Sequence, residues 1–273
     1  MSASIQPGSV AGVGVAAVAS LAPGRSFVLD LQAEAEPLAR ALGALPPLLD
    51  DERAAAIATW RGRMINETIS ARVFAALLQQ ALAAGVDGPW LRRIGDAITD
   101  ELRHGRQCAA VVVALGGVAR AEVTWLPPVP EHADAAPVEA LARNVLSVGC
   151  LSETVAVALI GAERLRTGPA ALRETLSNIL ADEVQHSRLG WELLEALLPR
   201  LDAAARARLD AYLEVALRHL IAHEQAHLPA VDAVPSAAAE AVGVCSGAEA
   251  HSLLRGAIDE VILPRLSQLG IAA

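Results

Sequence analysis

Two stretches of the chain repeat the same polar residues within otherwise apolar sequence. Asn66-Glu67-Thr68-Ile69 matches Ser152-Glu153-Thr154-Val155. Asp100-Glu101-Leu102-Arg103-His104-Gly105-Arg106 matches Asp182-Glu183-Val184-Gln185-His186-Ser187-Arg188. Glu101 follows Glu67 by 34 residues, and Glu183 follows Glu153 by 30. On a helix the Glu and His of Glu-x-x-His stand at i and i+3 and leave the same face. Glu153 is the lone charge of the segment Val145–Ile160, and Glu67 sits between Ile65 and Ile69. A buried carboxylate is costly unless it is paired, protonated or bound to metal. Two Glu-x-x-His pairs and two lone glutamates supply four carboxylates and two imidazoles, and four negative charges balance two divalent cations. Carboxylate and imidazole together suit iron or manganese. The alternative is a set of solvated i, i+3 pairs in a duplicated protein without metal.

Such ligands need long elements to hold them at one height. The pattern predicts a short helix within 30–49, ended by Pro46 and Pro47, then a long helix over 51–84 with Asp50 or Asp51 as N-cap. Pro89 opens a second helix that runs to Leu115 and stops at Gly116-Gly117. Residues 118–136 contain Pro127, Pro128 and Pro130 and form a long crossover connection. A third helix covers Pro137–Arg166, and Thr167-Gly168-Pro169 breaks it from a fourth that ends near Leu198-Pro199. A fifth spans 202–228, and a last one spans 246–269 with a bend at Pro264. Each Glu-to-Glu separation brackets a turn, so an antiparallel pair brings Glu67 beside Glu101 and Glu153 beside Glu183.

Composition agrees with a helical chain. The 273 residues are 53% hydrophobic but only 3% aromatic. The excess is mostly alanine, the best helix former, while β-favouring Thr, Tyr, Phe and Ile are scarce. The expected fold is all-α: a four-helix core over about 50–200, accessory helices over 201–270, and a flexible N-terminal segment over 1–29 before a single helical domain, 30–273. A net charge of −9 and a pI near 5.3 exclude a footprint for nucleic-acid backbone or a polybasic membrane patch. The apolar, glycine-rich N-terminus lacks a basic leader and reads as a lead-in, and no transmembrane helix is expected. Cys108, Cys150 and Cys245 are an odd number without a CxxC pair, which excludes a disulfide framework and points to a reducing, cytoplasmic setting.

The ordered pattern Glu67, Glu101-x-x-His104, Glu153, Glu183-x-x-His186 resembles the ferritin-like di-iron carboxylate superfamily, over about residues 50–200. The resemblance implies a ferritin-like four-helix bundle with two iron ions, or manganese in their place. Glu67 and Glu153 would be terminal ligands, Glu101 and Glu183 would bridge, and His104 and His186 would each bind one ion. Asp100 and Asp182 precede the bridging glutamates by one residue, about 100° of helix rotation. They therefore turn toward the neighbouring helix, where Asp100 meets His186 and Asp182 meets His104, and the resemblance implies the same crossed arrangement. The family includes oxygenases and oxidases, so the expected function is a non-haem di-iron oxidoreductase. It would use O2 or peroxide on a small or apolar organic substrate, with an external electron donor as a further partner. The alternative is an iron-handling ferroxidase or peroxidase bundle without organic substrate.

His223-Glu224-Gln225-Ala226-His227 matches HExxH, which in a zinc peptidase supplies two metal ligands and a general base. Pro229 ends that helix at once, and no third ligand stands at a convincing position. The same residues, His219 included, could instead form an auxiliary metal site or simply complement the helix dipole. Cys108, four residues after His104, and Cys150, three before Glu153, are further candidates near the ligand faces; buried cysteine otherwise packs as a small hydrophobe.

Overall fold

Proline and glycine punctuation divides the chain where the sequence places it. In the computed structural model, which describes residues 26–124 and 129–272, about 76% of the described residues are helical beside one small two-stranded sheet, so the architecture is all-α. The order is β1 (Ser26–Asp30), α1 (Gln32–Leu42), α2 (Asp50–Ala83), α3 (Gly88–Ala114), β2 (Arg120–Thr124) and α4 (Pro137–Val145). A π-helical stretch (Leu146–Ser152) runs straight into α5 (Glu153–Arg166). Then come α6 (Ala170–Leu197), α7 (Ala203–His227), α8 (Ala237–Glu240) and α9 (Gly247–Gly256), and a second π stretch (Ala257–Ile262) leading into α10 (Leu263–Gln268).

Short turns make α2 and α3 antiparallel neighbours, and likewise α5 and α6; α3 packs on α6 and α2 on α4. Accessory elements cover this core: α1 lies on α3, α7 on α4 and the first π stretch, and α9 on α5. Pro137 to Arg166 is one continuous helix, long and apolar enough by composition to cross a membrane, with a window of mean hydropathy 1.9. The same helix packs on α2, α6, α7, α9 and the second π stretch, and it carries buried charges that are paired within the protein. Glu139, buried in α4, accepts from Arg143 Nη2 at 2.6 Å and from Arg208 Nη2 of α7 at 2.6 Å.

Several boundaries differ from the sequence reading. Residues 26–29, expected within the flexible segment, pair as β1 antiparallel to β2, with Phe27 opposite Val123. Alternation puts Phe27, Leu29, Ala121 and Val123 on one covered face, and the pairing joins segments 96 residues apart, which no local pattern announces. Residues 1–25, and Pro127 and Pro128 of the connection, lie outside the described residues. The N-cap of α2 is Leu49 and not an aspartate: Glu52 accepts the Leu49 backbone N–H at 2.9 Å and satisfies the helix start from inside. Asp202 caps α7, accepting from the Ala205 N–H at 2.7 Å. The last helix bends through a π stretch ahead of Pro264, where the sequence reading placed the bend at the proline itself.

The closest helix contact is backbone to backbone. A Cβ built at Gly149, in the π stretch, would overlap Gly190 Cα, and one built at Gly190 would overlap the backbone of Gly149. Gly149 stands four residues before Glu153 and Gly190 four after His186, so this contact sets the spacing of α5 and α6 one turn from those side chains. Gly190→Ala should cost at least about 2 kcal/mol and lower the melting temperature by several degrees. Gly62→Ala, at an exposed α2 position with nothing within 4 Å, should be neutral or stabilising by up to about 1 kcal/mol. Equal thermal shifts for the two variants would contradict a spacing role for the glycine pair.

Candidate metal centre

Glu67 comes from the middle of α2, Glu101 and His104 from α3, Glu153 from the first turn of α5, and Glu183 and His186 from α6. The antiparallel turns bring all six to one level. Ligand atoms of Glu67, Glu101, His104 and Glu183 lie within 4.8 Å of one another, and so do those of Glu101, Glu153, Glu183 and His186. Glu101 and Glu183 belong to both groups. Every member is buried except Glu67, whose side chain is 13% exposed and marks the solvent side.

The two imidazoles face inward through Nδ1. His104 Nδ1 is 3.2 Å from Glu183 Oε1 and 3.5 Å from Glu67 Oε2. His186 Nδ1 is 3.2 Å from Glu101 Oε1 and 3.4 Å from Glu183 Oε2. These approaches are too poorly aligned for hydrogen bonds, and both Nδ1 atoms and Glu101 Oε2 are buried without a hydrogen-bond partner. Outward, His104 Nε2 lies 3.1 Å from Asp182 Oδ2 and His186 Nε2 3.4 Å from Asp100 Oδ2. A carboxylate only accepts, so each Nε2 carries a proton, and Nδ1 is the nitrogen left to offer a lone pair inward once a cation displaces its proton. Inward ring nitrogens without a partner, facing a ring of carboxylates, are the donor set a cation requires, so the residues present fit a metal.

The electrostatics say the same. Burial raises Glu101 well above the usual carboxylate range, and the Glu67 and Glu183 charges add to it. Burial likewise raises Glu153, helped by Glu183 and Glu101. Burial alone would raise Glu183 too, but His104 and His186 on either side hold it well below its ordinary value. Burial alone would lower the histidines, yet Glu183 and Glu67 push His104 to about 11, and Glu183 with Glu153 pushes His186 to about 9. Without a cation the cluster can only neutralise itself with protons.

The sequence reading missed how the surroundings lock. Arg103 Nη2 reaches Asp182 Oδ2 at 2.6 Å and Asp100 Oδ1 at 2.7 Å, so one guanidinium holds both aspartates. Its counterpart in the second half is Gln185, a difference visible in the repeat itself. Trp191 Nε1 donates to Thr154 Oγ1 at 3.1 Å, and Thr154 pairs with Ser187 at 3.0 Å, tying α5 to α6 one residue past Glu153 and His186. Arg63, one turn before Glu67, pairs with buried Glu163 at 2.5 Å and ties α2 to α5. An apolar cavity of about 10 Å3 lies beside His186, walled by Phe74, Leu77, Ile94, Val145, Leu189 and Leu193, with Gly149 and Gly190 at its edge.

The auxiliary candidates stand apart. Cys108 and Cys150 are buried, burial raises both thiols, and neither joins a ligand group among the described residues. His223 and His227 are exposed on α7, and among the described residues no third ligand joins them and Glu224. No family model, curated protein or solved structure matches the chain.

Two outcomes follow from this geometry. Asp182→Ala should weaken divalent-metal binding by about 10–100-fold, and Glu101→Ala should weaken it more than His104→Ala, because Glu101 serves both groups. Metal titrations that rank Glu101→Ala and His104→Ala as equal would refute the sharing. In the metal-free protein, the raised His104 and His186 contribute stability that is complete below about pH 6.5 and is lost as pH rises through about 9 and then about 11. The raised Glu101 and Glu153 add destabilisation in the same direction, whereas the lowered Glu183 loses its contribution only on acidification. The metal-free melting temperature should therefore fall between about pH 6.5 and about pH 11, and Glu183→Gln should flatten that fall.

Proposed function

We propose that the chain is a ferritin-like four-helix bundle that holds two iron ions, or manganese, and works as a non-haem di-iron oxidoreductase on dioxygen or peroxide. The observation that carries this reading is the pair of inward, unpartnered Nδ1 atoms set among four buried carboxylates. Glu101 and Glu183, common to both ligand groups, would hold both ions; Glu67 and Glu153 would each serve one, and His104 and His186 would each complete one half. Four carboxylate charges offset two divalent cations and remove the need for trapped protons. When bound there, two ferrous ions would bring two reducing equivalents suited to dioxygen or peroxide chemistry. Asp182 and Asp100 keep the imidazole protons at Nε2, and Arg103 keeps those aspartates in place. Glu67, with its side chain 13% exposed, is the most accessible of the six, and buried Phe74 packs against the His186 ring with centroids 5.3 Å apart.

The apolar walls beside His186 support a small or apolar organic substrate. The cavity volume of about 10 Å3, near that of one water, supports a second reading: an iron-handling ferroxidase or peroxidase without organic substrate. A zinc peptidase centred on His223 and His227 gains no support, since neither histidine meets a third ligand among the described residues.

Anaerobic loading with Fe(II) followed by exposure to oxygen tests the assignment. Metal analysis should approach two ions per chain, with iron retained by the protein after oxygen is consumed. Release of the iron as a ferric mineral would select the iron-handling reading. A reproducible single zinc, kept when Glu67 and Glu153 are both changed to Ala, would sink both.

A further inference from the structure

His219, His223 and His227 stand four residues apart on one face of α7, a helix that contributes nothing to the carboxylate cluster. All three rings are exposed. The last two are drawn together: ring centroids of His223 and His227 are 4.4 Å apart, against 6.3 Å for His219 and His223. The cause is local. His227 Nδ1 donates to the His223 backbone carbonyl at 2.7 Å. A carbonyl only accepts, so Nδ1 carries a proton, and Nε2 is the ring nitrogen left to offer a lone pair. A backbone carbonyl on the far nitrogen is how proteins fix the tautomer of a metal-bound histidine. No hydrogen bond engages His227 Nε2 or either ring nitrogen of His223 among the described residues.

We propose that His223 and His227 form a two-imidazole chelate for one borderline divalent transition ion, zinc being the probe of choice, on the surface of α7. Residues at i and i+4 share a helix face, and a tetrahedral ion with Zn–N bonds of about 2.0–2.1 Å needs its two nitrogens roughly 3.3 Å apart. Ring centroids 4.4 Å apart place the pair close to that spacing. Donor type separates this site from the carboxylate cluster: two neutral imidazoles favour zinc, nickel or copper(II), whereas four carboxylates favour iron or manganese. Pro229 ends the helix two residues later, and water would complete the coordination.

Isothermal titration of the untagged full chain with zinc chloride tests the chelate. The expected result is one exposed-site zinc per chain, with affinity reduced at least about tenfold in His223→Ala and in His227→Ala. His219→Ala should stay within about threefold of wild type, since its ring stands outside the close pair. Glu101→Gln should leave this zinc unchanged, so loss of the di-iron reading and loss of the chelate are told apart. Zinc affinity unaltered in both His223→Ala and His227→Ala would overturn the proposal, and so would one zinc shared by two chains.

Discussion

Four glutamates and two histidines share one interior from which water is largely excluded, and only protons, each other or a cation can neutralise them. The chain resolves this by dividing the roles. Glu183 sits between the two imidazoles and stays ionised, while Glu101 and Glu153 are driven toward the neutral acid by burial and by that same charge. The histidines lean the other way and hold protons tightly for lack of another cation. The metal-free cluster is thus a stack of compensating protonations. Much of the fold outside it consists of devices that keep those six side chains level with one another.

The most demanding of these devices is the approach of α6 to the helix carrying Glu153. Gly149 and Gly190 remove every side-chain atom from the contact, so the two backbones meet directly. The π stretch that ends at Ser152 inserts its irregularity just before Glu153, and π turns of this kind recur where a helix must re-aim a functional side chain. The Trp191–Thr154–Ser187 hydrogen bonds then clasp the same two helices one residue past the ligands. On the other side, the Arg63–Glu163 ion pair joins α2 to α5, with the Arg63 guanidinium 4.6 Å over the Trp60 ring.

The two halves are similar without being equivalent. Each histidine meets the aspartate of the opposite half, but only the first half supplies an arginine to hold both aspartates. Asp182 Oδ2 is shared between Arg103 and His104, whereas Asp100 divides its oxygens between Arg103 and His186. The two imidazoles therefore sit in different surroundings: His104 Nε2 is 3.1 Å from an oxygen it shares with Arg103, and His186 Nε2 is 3.4 Å from an oxygen Arg103 does not contact at hydrogen-bond distance.

The helices, their breaks and the convergence of the six residues were legible in the sequence because each rests on local rules. Glycine and proline punctuate helices, i and i+3 share a face, and a turn midway between two glutamates returns the chain to its starting height. The meeting of Asp100 with His186 followed from one residue's rotation about the helix axis. The pairing of β1 with β2 was not legible, since it joins distant segments through backbone hydrogen bonds that carry no sequence code. Nor were the Gly149–Gly190 contact, the π stretch, or the reach of Arg103 across two helices. Each depends on how far apart two packed helices settle. That distance emerges from the summed packing of residues scattered along the chain, so spacing within one helix could name the ligands, and only the tertiary structure could set the space between them.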